Sequence, residues 1–213
     1  MEQYIKLTSQ RHPDVILRVI PGHFATPNSH INYYMDMAAL KSRTTEAMFA
    51  AKALSEFYYT TTTVDTIVCL DGTEVIGAYL AQELSHVGVI SMNKHKSIYV
   101  LAPEYNMTGQ MIFRDNLQLW ISQKNVLVLL ASATTGKSLS QAVESLTYYG
   151  ARITGISALF SVVSKVADVP VHSLFTPADL PAYASYSHDD CPLCKKGMRV
   201  DALCNGFGYT PIR

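Results

Sequence analysis

The stretch Asn125-Val-Leu-Val-Leu-Leu130, the turn of small and hydroxylated residues after it, and the segment of helical period that follows constrain this chain more than any other feature. A short apolar run without alternation reads as a strand buried on both faces, and strands of that kind belong to parallel sheets covered by helices. The pattern repeats upstream, where Asp65-Thr-Ile-Val-Cys-Leu70 precedes the turn Asp71-Gly72-Thr73 and a helical segment over 74–84. Residues 97–102, 151–159 and 171–175 supply further strands, and Gly150 ends a helix over 138–149. Units alternating in this way define an α/β fold with a parallel sheet flanked by helices.

The rest of the chain is arranged around that core. Residues 43–59 are rich in Ala, Glu, Met and Leu with apolar side chains at helical spacing, which predicts an amphipathic helix capped by Thr44 or Thr45. Strands over 15–20 and 31–35 flank a turn-rich segment and predict a small N-terminal cap. Residues 103–115, of mixed polarity with a glycine at 109, predict a mobile loop or a loose hairpin. A length of 213 residues suits one domain, with a core over about 43–175, the cap over 1–42 and a C-terminal appendage over 176–213.

Seventeen basic residues balance seventeen acidic ones, so no net field favours nucleic acid or an anionic membrane surface as a partner. The first residues are charged from position 2, and no stretch reaches the roughly 18 apolar residues of a spanning helix. A cytoplasmic protein is expected.

The loop Ser132-Ala133-Thr134-Thr135-Gly136-Lys137-Ser138 lies where open α/β sheets bind ligands, beyond the carboxyl end of a strand. Small residues let successive backbone N–H groups converge, the new helix adds a partial positive charge, and the hydroxyls of Thr134, Thr135 and Ser138 can donate. A phosphate fits that description. A plain helix start capped by Ser or Thr is the alternative that needs no ligand. Ala131-x-x-x-x-Gly136-Lys137-Ser138 also matches a relaxed nucleotide P-loop, although the motif's first glycine is missing and the strand over 153–159 ends without a carboxylate for Mg²⁺.

With these residues in view, the chain resembles the type I phosphoribosyltransferases, and in layout the orotate-specific branch. The resemblance rests on the apolar strand before Thr134-Thr135-Gly136-Lys137-Ser138, on Gly22-His-Phe and Ser29-His-Ile-Asn-Tyr-Tyr-Met-Asp36, on Asp71-Gly72-Thr73-Glu74, and on Cys191-Pro-Leu-Cys194-Lys-Lys-Gly197, in the family's order. It implies that 132–138 holds the phosphate of phosphoribosyl pyrophosphate or a nucleoside monophosphate, with Mg²⁺ accompanying the pyrophosphate. It also implies that Asp71, Gly72 and Thr73 cradle the pyrophosphate, and that the chain is a homodimer. Three departures bear on catalysis. Leu130 and Ala131 stand where the family places two ribose-binding carboxylates; 97–113 contains no Lys or Arg; and 153–163 has no Arg for an orotate carboxylate. No catalytic residue is therefore assigned, and a nucleotide or phosphoribosyl pyrophosphate sensor stands beside the active transferase.

Cys191 and Cys194 have the spacing of a zinc knuckle, which Cys204 with His188 or His172 would complete as a structural Zn²⁺ site. A reduced turn packed on the sheet is the alternative. His12, His23, His30, His86 and His95 read as loop residues without a role.

Overall fold

The computed structural model describes residues 4–86, 91–94 and 97–212, so His95 and the charged first residues fall outside the description. Two sheets face each other across a cleft. The first begins with β1 (Ile5–Thr8), β2 (Ile16–Ala25) and β3 (His30–Asp36), paired antiparallel. Leu17 and Val19 alternate inward at the start of β2, continuing from buried Val15 just before it, as a half-buried strand requires. The β2–β3 register then shifts between Pro21 and Phe24. This bulge tolerates a proline and breaks the alternation, so that His23 and Phe24 are buried in succession. Gly22 is needed there, because a Cβ would lie 2.8 Å from Asp201 Oδ2.

The second sheet carries β4 (Thr66–Cys69), β5 (Tyr99–Leu101), β6 (Asn125–Ala133), β7 (Arg152–Ser161) and β8 (Val169–Phe175). Their order is β8-β7-β6-β4-β5, all parallel, with Lys165–Val166 closing the β8 edge antiparallel. The pleat of β6 explains its continuous apolar sequence. Leu127, Leu129 and Ala131 face one core, and Val126, Val128 and Leu130 face the other.

Helices α1 (Ala38–Ser42), α2 (Thr44–Ser55) and α3 (Glu74–His86) cover the first face through Leu40, Ala47, Ala50, Leu54, Ile76 and Leu80, while α4 (Lys137–Tyr148) covers the second through Leu139, Ala142, Val143 and Leu146. Arg43, with extended backbone (φ −88°, ψ 125°), separates α1 from α2, and its guanidinium pairs with Glu46 at 2.9 Å. The expected threonine cap is therefore absent: Arg43 occupies the cap position and makes no side-chain cap bond. Residues 103–115 form a hairpin, Glu104–Tyr105 against Met111–Ile112, turned at Asn106, whose Oδ1 accepts the N–H groups of Thr108 and Gln110.

The strand over 171–175 is not the last. Ser185–Tyr186 pairs with β3, and β9 (Ala202–Cys204) and β10 (Tyr209–Pro211) return to the first sheet, β9 lying parallel to β2. The C-terminal segment thus completes the N-terminal sheet.

Candidate functional site

A cleft of about 710 Å³ lies between the carboxyl ends of β4 and β6 and the first sheet. β6 continues through Ala133, so the first two residues of the expected phosphate loop are strand. The turn itself is Thr134-Thr135-Gly136, and α4 starts at Lys137, one residue earlier than the sequence pattern places it. Gly136 is left-handed (φ 74°) at the helix cap, a conformation that glycine adopts freely. It has no side chain with which to cap the helix, and the Lys137 N–H reaches Thr135 Oγ1 only at 3.5 Å. The first turn of a helix leaves N–H groups without intrahelical acceptors, and these point outward along the axis.

Ser132, Thr134 and Ser138 line the cleft, while Lys137 is exposed and does not. The Asn28 side-chain amide donates to Ser138 Oγ at 3.3 Å, joining the β2–β3 turn to the start of α4. A P-loop lysine must reach into the phosphate site, a position Lys137 does not occupy.

Asp71 and Gly72, both left-handed (φ 57° and 76°), turn the chain from β4 toward α3. Burial raises the Asp71 carboxyl above the usual range, partly offset by the Ala131 N–H that it accepts and by the Lys41 ammonium. Thr73 is fully buried, and its hydroxyl reaches the Leu70 and Leu129 carbonyls at 2.9 and 3.1 Å. That hydroxyl ties the loop to the end of β4 and to β6, and Thr73 is not among the residues lining the cleft.

Two parts of the cleft were not found from the sequence. Lys41, at the end of α1, donates to the Asp71 carbonyl at 2.8 Å and the Gly206 carbonyl at 2.6 Å. Burial holds its pKa below the usual lysine value, against the opposing pull of Asp71, Glu74 and Asp36. Asn205, Gly206 and Phe207, between β9 and β10, close the same wall. A lysine following the apolar run Met37-Ala-Ala-Leu40 was the available hint.

The hairpin over 104–112 brings Tyr105, Thr108, Gln110 and Met111 to the cleft mouth. Arg114, the first cation after it, is bound by Glu104, with Nε 3.1 Å from either carboxylate oxygen. Leu130 and Ala131, which stand where the resembled family places two carboxylates, are buried at 3% and 2% exposure and bring only apolar side chains to the cleft lining.

Away from the cleft, Cys191 and Cys194 meet His23 and His30. Cys204 turns its thiol to the Ala25 carbonyl, His172 stacks on Phe57, and His188 bonds the Thr26 carbonyl. Of the residues expected to complete the knuckle, Cys204 and His172 lie elsewhere and His188 stands edge-on to His30 with ring centroids 5.0 Å apart, while His23 and His30 face the two thiols.

The parallel sheet, the hooding first sheet and the loop beyond β6 make up a type I phosphoribosyltransferase-like fold. Its sequence resembles orotate phosphoribosyltransferase: it is 29% identical over 196 residues to the enzyme of Wolinella succinogenes, 85% of this chain and 88% of the relative. No family model matches the chain. Orotate phosphoribosyltransferase from Aeropyrum pernix shares the fold with a TM-score of 0.51 and 19% identity, over 76% of this chain and 90% of that one. UMP synthase of Leishmania donovani shares it with a TM-score of 0.54 and 14% identity, over 84% of this chain and 36% of that one.

Proposed function

We propose that this phosphoribosyltransferase-like protein binds phosphoribosyl pyrophosphate or a nucleoside monophosphate, with the 5′-phosphate over the N–H groups of Thr134 to Ser138. The observation that carries the reading is the left-handed Gly136 opening α4 beside the cleft without a capping side chain. Backbone donors aimed at one point, reinforced by the helix dipole, favour a dianion. Asp71 and Gly72 would bend around the pyrophosphate. Among the described residues, Asp71 and Glu144 are the carboxylates lining the cleft, and Mg²⁺ would enter on the diphosphate oxygens. Calorimetric titration with phosphoribosyl pyrophosphate and nucleoside monophosphates, with and without Mg²⁺, tests this. Binding of either class supports the reading, and binding of neither overturns it.

A second reading, a sensor that binds without turnover, is favoured by the apolar pair Leu130–Ala131 and by the tethering of Arg114. Departing pyrophosphate needs cationic stabilisation in the transition state. Pyrophosphate release assayed with orotate, uracil and purine bases separates the two, and the sensor reading expects slow release or none. We further propose a cytoplasmic homodimer. Light scattering showing only a 23.5 kDa species at micromolar concentration would refute the dimer.

A further inference from the structure

We propose that His23 Nε2, His30 Nδ1, Cys191 Sγ and Cys194 Sγ together bind a structural Zn²⁺ ion that fixes the C-terminal segment against the first sheet. These four atoms lie within 4.8 Å of one another. The two nitrogens are 3.0 Å apart, His23 Nε2 is 3.6 and 3.7 Å from the two sulfurs, and His30 Nδ1 is 3.3 Å from Cys194 Sγ. A tetrahedral ion with Zn–S of about 2.3 Å and Zn–N of about 2.0–2.1 Å separates its ligands by roughly 3.3–3.8 Å. The arrangement therefore approximates the required tetrahedron, and two thiolates with two imidazoles are a donor set that suits zinc.

The surroundings orient the ligands. His23 is fully buried, and its Nδ1 lies 3.1 and 3.2 Å from the carbonyls of Met198 and Arg199. Those acceptors hold the proton on Nδ1 and leave the Nε2 lone pair facing the other three atoms, the outer-shell arrangement of a metal-bound histidine. A lone pair can accept one hydrogen bond, yet here it faces a nitrogen and two sulfurs; one cation would satisfy all four groups. Two thiolates also neutralise Zn²⁺, which suits the burial of His23 and Cys191. The knuckle is pre-shaped by Pro192 at the first turn of the helix Pro192–Lys195 and by left-handed Gly197, with the Met198 N–H returning to the Leu193 carbonyl at 3.0 Å.

The site has a structural consequence. His23 and His30 sit on β2 and β3, and the chain leaving the knuckle becomes β9, which pairs with β2 and delivers Asn205–Phe207 to the cleft wall. A metal there would hold that wall from behind, whatever ligand the cleft takes.

The test uses the full chain, untagged, expressed with supplemented zinc and purified without chelator. Elemental analysis should find stoichiometric zinc. Cobalt(II) exchanged into the site should show the visible bands of a tetrahedral ion with thiolate charge transfer, and Cys194→Ser should abolish both signals. Because that variant can fail to fold, the wild-type thiols supply a second readout. Cys194 is exposed, so alkylation should be slow in the zinc-loaded protein and fast after chelation. Folded wild-type protein that takes up neither zinc nor cobalt, alkylation of Cys194 at equal rates with and without zinc, or stoichiometric occupancy by another metal would overturn the proposal.

Discussion

The Lys41 ammonium donates to the Asp71 backbone carbonyl at 2.8 Å and, on its other side, to the Gly206 carbonyl at 2.6 Å. One side chain thus joins α1, the loop after β4 and the C-terminal return, three segments distant in sequence. Lys41→Met keeps the length of the stem and removes the donors. It should lower stability by about 1.5–3 kcal/mol, the range for hydrogen bonds to a charged group, in urea denaturation. Ligand affinity should fall with it, because the cleft wall loses its tie. Unchanged stability would show that water replaces the ammonium without penalty.

Tyr58 makes a second tie, between the segment after α2 and β7. Its hydroxyl donates to the Ile156 carbonyl at 2.9 Å and lies 2.7 Å from Ser157 Oγ, and its ring covers Gly155 so closely that a Cβ there would come within 2.5 Å of Cε1. Gly155→Ala should therefore destabilise by about 1–3 kcal/mol through overpacking. Tyr58→Phe, which keeps the ring, should lose about 1–2 kcal/mol by leaving the Ser157 hydroxyl short of a partner. Equal stability of both variants to the parent in thermal and urea unfolding would contradict this packing.

His172 stacks on Phe57 with ring centroids 4.4 Å apart and meets Tyr58 edge-on at 5.5 Å. Burial lowers its pKa below the ordinary histidine value of 6.5. A histidine whose folded pKa is depressed favours the folded state when neutral, so its contribution is intact above about pH 6.5 and is lost as pH falls through the folded value. The parent should lose more stability than His172→Phe between neutral and mildly acid pH. Parallel stability-versus-pH curves for the two proteins would count against it.

Much of the core was legible because it obeys local rules. The apolar run at 125–130 becomes β6 since both its faces are covered, and the small residues after it become a turn because Gly136 takes a left-handed conformation there. The hairpin at 104–112 is one of the two readings, loop or hairpin, that its mixed polarity and Gly109 (φ 77°) allowed. What could not be read depends on chain return. The three residues of β9 carry no strand signature by themselves, and their pairing with β2 is long-range. His23 looked like a loop residue because the bulge at Pro21–Phe24 interrupts the alternation that would have marked it as inward-facing. Lys41 gave little notice, since its partners are backbone carbonyls of remote loops.

The proposed phosphate site in the loop opening α4 is tested most directly at Gly136. A Cβ at this position would meet Val163 Cγ1 at 3.3 Å, and the left-handed backbone (φ 74°) resists any β-branched residue. Calorimetric titration of phosphoribosyl pyrophosphate with Mg²⁺ should show binding to the parent and affinity weaker by about tenfold or more, at least ~1.4 kcal/mol, for Gly136→Val. Far-ultraviolet circular dichroism should confirm that the variant remains folded. Equal affinity in a folded Gly136→Val protein would place the phosphate elsewhere and contradict the account.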